Sequence, residues 1–418
     1  MQDENDPKKL SGGHEQILKQ VWTYLFHFWG IPVNGERAFR KIESHEADTS
    51  VEEKGKKKKS LFDKISGGYL GSESSEEQET PVETEESKYV LNSVHDTLKD
   101  LEPQATQDEF WEMLRVETPD TSILKFIRAR KWKVDKAMSM IAHSMRWRVE
   151  ESKVDDIICG GERAAYEKGE TGVIKNLELQ KAIICGFDKQ RRPIILARPK
   201  VHYSSDQTEE EIQKYCVLVI EQAKLFFKKP VETSTILFDL TGFSLSNMDY
   251  TPVKFLITCF EAHYPESLGH MFIHKAPWIF PPIWNIIKNW LDPVVASKIM
   301  FTKNAKDLNQ FIDMDQIPEY LGGSNKHDMD HYVAPDGCQD VKLNDQESMT
   351  KIKSERSQLI KEFIDATVKW IESSSEADSE AYLNEKTKIG DKLVQNYSEL
   401  DPYVRSRSVY DISGMLKV

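Results

Sequence analysis

Between residues 180 and 316, short apolar runs rich in β-branched residues alternate with stretches of helical period, and no other feature narrows the fold as far. The runs fall at 182–187, 193–197, 235–240, 271–274 and 299–302; the helical patterns fall at 208–228, 247–263, 282–291 and 305–316. Strands joined through helices run parallel, because the helix carries the chain back to the edge where the strand began. The alternation therefore predicts an α/β domain whose mixed, largely parallel sheet of about five strands is covered by helices. Thr208 and Glu211 stand at capping-box spacing before the first of those helices.

Helical periods also flank the sheet. Residues 89–157 carry Phe110, Trp111, Leu114, Ile123, Leu124, Phe126 and Ile127, then Ala137, Met138, Ile141 and Met145, which predicts an all-helical lobe ahead of the sheet. Further helices are expected at 348–372 and 376–398. At 14–30, Leu18, Val21, Trp22, Leu25, Phe28 and Trp29 mark one apolar helix face, stopped by Gly30 and Pro32. That face either packs on the main body or touches a membrane, although it lacks the basic polar face of a membrane helix. Residues 44–88 have few apolar side chains and join a lysine run (Lys54, Lys56, Lys57, Lys58, Lys59) to a glutamate-rich run. They read as a disordered charged linker, with contact between the lysines and anionic lipid as the alternative.

A net charge of −13 disfavours a general nucleic-acid binder. Five cysteines, none spaced C-x-x-C, read as reduced thiols, not as a disulfide frame or zinc site. The chain start lacks the basic and apolar regions of a signal peptide, and no apolar run nears ~18 residues. A cytoplasmic chain with at most peripheral membrane contact is expected. No phosphate loop, dinucleotide fingerprint or nucleophile elbow is present. His270 and His274 share a strand face but lack further metal ligands. Asp239 ends a strand where α/β enzymes often place an acid, yet no nucleophile or base accompanies it, so a turn-capping role is expected and an enzyme is not.

Residues 277–293 are apolar on nearly every helix face: Ile283, Trp284, Ile286, Ile287, Trp290 and Leu291. Such a helix is either wholly buried or faces something greasy that is not protein, such as a ligand under a lid.

Around this segment the chain resembles the CRAL-TRIO lipid-transfer family, and within it the fungal phosphatidylinositol transfer proteins, most closely a branch associated with squalene or sterol. The resemblance rests on the run from Leu124 to Trp132, on Tyr264-Pro265-Glu266-Ser267-Leu268-Gly269 with Ala276-Pro277, on the run from Leu291 to Ile299, and on Leu321-Gly322-Gly323. It implies the CRAL-TRIO lipid-binding fold, with an N-terminal helical extension at 1–43, the linker at 44–88, a helical N-lobe at 89–165, the lipid-binding domain at 166–335 and a C-terminal helical extension at 336–418. It implies a head-group site at Arg128, Arg130, Glu266 and Lys298, whose alternative is a structural ion-pair network. It implies a lipid pocket with Ser234, Ile236, Phe238, Met271 and Ile273 on its floor and Ile257 above. A gate at 282–291 would add Ile283, Ile286, Ile287 and Trp290, with Val295 beyond it.

The implied cargo is one phosphatidylinositol, with squalene, a sterol or another apolar lipid as the alternative, and no cofactor or metal. The implied partners are membrane lipids, reached by a monomer through transient contact with endoplasmic-reticulum, endosomal or mitochondrial membranes. Departures from the family pattern sharpen this. Val295 replaces a threonine of the head-group motif. Ile195 and Ile236 replace hydroxyl residues that serve phosphatidylcholine, and only Ser234 keeps one. Losing those hydroxyls disfavours a choline phospholipid. Lys275 replaces an asparagine, and Arg191 stands where a turn glycine is expected.

Overall fold

The computed structural model describes residues 6–40 and 94–418, so the linker and its lysine run lie outside the described residues. Five strands form one sheet in the order β1-β2-β3-β4-β5: β1 Ala182–Phe187, β2 Pro193–Ala197, β3 Ser234–Asp239, β4 Leu268–His274 and β5 Ile299–Thr302. β1 pairs antiparallel with β2, and the other pairs are parallel. The β1–β2 turn closes through Asp188, whose Oδ1 accepts from Gln190 N (2.8 Å) and Arg192 N (3.0 Å). Arg191 takes the left-handed conformation (φ 66°) that the family's glycine would supply.

Register sorts the side chains onto two faces. Ile195, Ile236, Met271 and Ile299 pair in one row, and Ala197, Phe238, Ile273 and Phe301 in the row two residues on. These rows form the floor on which the covering helices lie. Leu196, Leu237 and Phe272 point the other way, onto Leu308, Ile312, Ile317 and Leu321. β4 begins three residues before the sequence pattern suggests. Its extra pairs cross an irregularity at Gly269, where a Cβ would meet Arg192 Cδ at 2.7 Å. The helix expected at 305–316 is only Ala305–Leu308, because Ile312 and Ile317 pack under the sheet from turns.

The N-terminal helix Gly12–Phe28, the lobe helices Pro103–Leu114, Pro119–Ala129 and Val134–Arg146, and the C-terminal helices Gln346–Glu372 and Glu376–Val404 share one core. Trp22 is fully buried among Phe26, Phe110 and Phe363, and its Nε1 donates to Asp120 Oδ1 at 2.8 Å. Lys386 donates to the same oxygen at 2.8 Å and sits 4.0 Å from the Trp370 ring centroid. With Trp29 buried as well, the apolar face of the first helix packs inward.

The chain's last residues finish the sheet edge. Tyr410 OH accepts from Ile184 N (2.9 Å), and Tyr215 OH bonds both Ala182 N (2.9 Å) and Ala182 O (2.8 Å), so the outer edge of β1 is capped by side chains. Beside it, the Glu162 carboxylate accepts from Gln222 Nε2 (3.0 Å), Val409 N (3.2 Å) and Tyr332 OH (3.3 Å). Burial outweighs those donors and lifts its pKa from 4.5 to about 7. The folded state thus holds a proton that the unfolded state releases, and this group's contribution, full below pH 4.5, is lost as pH rises through about 7. Urea midpoints should therefore fall more steeply between pH 5 and 8 in the wild type than in Glu162→Gln; parallel curves would contradict this.

Candidate functional site

An apolar cavity of about 200 Å³ lies between the sheet floor and the helices Glu209–Lys224, Tyr250–Thr258 and Phe280–Ile287. Of the residues expected in the pocket, Phe238, Met271 and Ile273 line the floor, Ile257 the roof, and Ile287 and Val295 the gate side. Phe260, Phe280, Trp284, Leu291 and Ile299 also line it.

Five expected residues do not line it. Ser234 and Ile236 are buried at the start of β3, where Ile236 and Ile195 join the core under Glu209–Lys224. The floor there is hydrocarbon, filled by the two isoleucines. Ile283 is buried against Leu240, Phe243 and Phe280, holding the gate helix to the sheet end. Ile286 is 45% exposed and faces outward. Trp290 lies past the helix, its ring 5.5 Å from Tyr250 and 5.0 Å from the Lys254 ammonium. Of the segment 282–291 expected to form a gate, the helix is Phe280–Ile287, and 288–291 continue as a turn.

A second cavity of about 120 Å³ adjoins the first across Phe260 and Val295, which line both. Arg128, Arg130, Glu266 and Lys298 all line it, with Lys131, Glu261 and Asp292. Arg128 and Arg130 close the helix Pro119–Ala129, where the dipole favours cations. The left-handed pair Lys131 and Trp132 (φ 52° and 60°) turns the chain there, and Arg130 Nη2 donates to Glu261 O at 3.1 Å. Glu261 Oε1 accepts from Asp292 N at 2.7 Å, and Asp292 caps Pro293–Ser297, the short helix that ends at Lys298.

Glu266 is presented from a left-handed residue (φ 55°) just before β4. Burial pushes the Lys298 ammonium below its usual pKa, opposed by Glu266 and assisted by Arg192 and Arg128. Among the described residues Glu266 and Lys298 make no ion pair within 4.0 Å, so this pair is not closed on itself. Four cationic and three carboxylate side chains leave one positive charge in the cavity. That suits a phosphodiester monoanion, and fixed cations beside a carboxylate suit a phosphate next to a polyol.

Behind this mouth lies a buried charge cluster that no spacing in the sequence foretells. Glu221 Oε1 accepts from Arg148 Nη1 (2.9 Å) and Tyr264 OH (2.8 Å), Arg115 bonds Asp155, and Arg148 also bonds Glu109. Tyr264 thereby fixes the segment that carries Glu266.

The strand-end acid Asp239 has a structural role. Asp239 is buried, and its Oδ1 caps the turn by accepting from Thr241 N at 3.0 Å. His274 Nδ1 bonds Thr302 Oγ1 at 2.9 Å, and among the described residues no group of three His, Cys, Asp or Glu side chains is placed to hold a metal ion. No helix of the described residues is long and apolar enough to cross a membrane.

A largely parallel sheet floor, an apolar cavity roofed by an apolar helix and a charged mouth define a lipid-holding architecture. The chain belongs to the CRAL-TRIO family: the CRAL/TRIO domain matches residues 177–323, and the CRAL/TRIO N-terminal domain matches residues 90–143. It is 50% identical to a protein of Eremothecium gossypii named phosphatidylinositol transfer protein CSR1, over 98% of this chain and 97% of that one. It is 35% identical to a CRAL-TRIO domain-containing protein of Schizosaccharomyces pombe, over 98% of this chain and 92% of that one. A phosphatidylinositol/phosphatidylcholine transfer protein of Arabidopsis thaliana is 29% identical over 48% of this chain and 39% of its own length.

Proposed function

We propose that the chain carries phosphatidylinositol between membranes, seating the acyl chains in the apolar cavity and the head group in the charged one. The adjacency of the two cavities, with Phe260 and Val295 lining both, supports this reading, because one amphipathic molecule could occupy the pair. The name of the half-identical relative agrees with it.

Transfer needs near-balanced exchange. Two acyl chains bury roughly 30 methylenes at about 0.8 kcal/mol each, but a bilayer buries them equally well. The cavity therefore adds little net affinity, and the head-group contacts choose the lipid. The remaining barrier is the crossing, which opening of Phe280–Ile287 would lower. Around that helix Trp278 (90% exposed), Phe301 (51%) and Ile286 stand outward, an apolar rim fit to enter a membrane surface. The proposed encounter is peripheral and transient, made by one copy of the chain.

Purified protein should move phosphatidylinositol between vesicles and hold it by mass spectrometry of co-purified lipid. Trp278→Ser with Ile286→Ser should slow transfer roughly 10-fold, the loss expected for one membrane-inserted aromatic, while bound lipid stays unchanged. Failure to move phosphatidylinositol, with only squalene or sterol bound, would overturn this reading in favour of a carrier of apolar lipids alone. The hydrocarbon packing of Ile195 and Ile236 in the sheet floor favours that second reading.

A further inference from the structure

At the carboxyl ends of β2 and β3, away from the charged mouth, the apolar cavity is bordered by Lys181, His202, Asn247 and Asp249. Lys181 Nζ donates to His202 Nδ1 at 3.1 Å and to Gln207 Oε1 at 3.0 Å. His202 Nε2 meets Asp249 Oδ2 at 3.1 Å. A carboxylate only accepts, so Nε2 carries the imidazole proton and Nδ1 offers its lone pair to the ammonium. Each step is held from behind. Asp249 Oδ1 accepts from Thr251 N at 2.9 Å, and Asn247 Nδ2 donates to the carbonyls of His202 and Lys200, each at 3.1 Å.

Lys181 and His202 are each 6% exposed. An ammonium has three N–H groups, and among the described residues Lys181 has acceptors for two. A buried donor left unmatched is costly, and Lys181 borders a cavity whose wall is mostly hydrocarbon. Burial lowers the pKa of this lysine to about 8, so it stays a cation at neutral pH.

We infer that Lys181 anchors the oxygen of a neutral, singly oxygenated lipid, an aliphatic or isoprenoid alcohol or carbonyl compound, at the end of the cavity opposite the head-group mouth. This rests on the reading that the cavity holds lipid. Charge selects the class. Asp206 and Asp249 already balance Lys181 and its neighbour Lys175, so a ligand carboxylate would add an uncompensated anion to apolar surroundings, whereas a hydroxyl or carbonyl adds none. A hydrocarbon end would leave the third N–H bare. The two cavity ends thus select different cargoes, one by phosphate and one by a lone oxygen.

The test is displacement of diphenylhexatriene from the purified full chain by octadecene, octadecanol and octadecanoic acid. Octadecanol should act at roughly 10-fold lower concentration than octadecene, the usual gain from one hydrogen bond to a charged group, and octadecanoic acid should not surpass it. Lys181→Met should erase the advantage of the alcohol and leave octadecene unchanged. The wild-type ranking decides the matter even if that variant does not fold. Equal action of octadecanol and octadecene, or a stronger effect of the acid, overturns the anchor while leaving the cavity as a lipid site. Absence of any diphenylhexatriene uptake overturns the cavity reading and the anchor together.

Discussion

Glu221→Ala should lose about 3–5 kcal/mol of folding stability, the cost of stranding buried charge partners. Glu221 is fully buried on the helix Glu209–Lys224, between the sheet and the helical layer. Its carboxylate takes Arg148 Nη1 at 2.9 Å and Tyr264 OH at 2.8 Å, with Arg115 Nε at 3.6 Å and Lys224 Nζ at 4.0 Å. Burial alone would raise its pKa, but Lys224, Arg148 and Arg115 hold it down at about 2. The folded value is depressed, so its stabilisation is present above pH 4.5 and is lost as pH falls through about 2, opposite in sign to Glu162. Glu221→Gln should lose less, because its amide oxygen still accepts from Arg148 or Tyr264. Urea unfolding at pH 7 measures both, and a loss below about 1 kcal/mol for Glu221→Ala would refute the role of the cluster, since surface charges reach only that range.

This cluster marks where reading the sequence stops. The strands were legible because β-branched runs are short and bounded, and β1, β2 and β5 fall where the pattern puts them. The first half of β4 was not, since Leu268-Gly269-His270 shows no alternation and its pairing depends on the room Gly269 leaves for Arg192. Periodicity also could not tell what the face of Trp22 meets, because Phe363 and Lys386 come from the other end of the chain. Of the charged mouth, Arg128, Arg130, Glu266 and Lys298 were legible only through family motifs, as three distant segments converge there. Lys181, His202 and Asp249 were not legible at all. They come from separate loops with no motif, and only the fold brings them to one cavity end. The helix over the cavity was half legible: a helix apolar on nearly every face was expected to be buried or to face an apolar ligand, but which side chains turn inward depends on the tilt of Phe280–Ile287, which the sequence pattern does not fix.

The second large effect is expected at the mouth. Lys298→Ala combined with Glu266→Ala should lower phosphatidylinositol transfer by roughly 10- to 100-fold, the scale of one to two charge-assisted hydrogen bonds. The cavity carries one net positive charge with Lys298 present and, after this pair of changes, keeps that net charge while losing one cation and one carboxylate. A loss of transfer would therefore report directed bonds to the head group, not a change in overall charge. Stability should change little, because Glu266 and Lys298 make no ion pair within 4.0 Å among the described residues and the Tyr264–Glu221 bond remains. Binding of a hydrocarbon or of octadecanol should also persist, since neither Glu266 nor Lys298 lines the apolar cavity. Vesicle transfer with labelled phosphatidylinositol, run beside diphenylhexatriene binding, separates these effects. Undiminished phosphatidylinositol transfer by the folded double variant would remove the head-group assignment. Loss of both activities would instead mean that the two side chains hold the cavity closed, because a head-group contact cannot affect a cargo that has no head group.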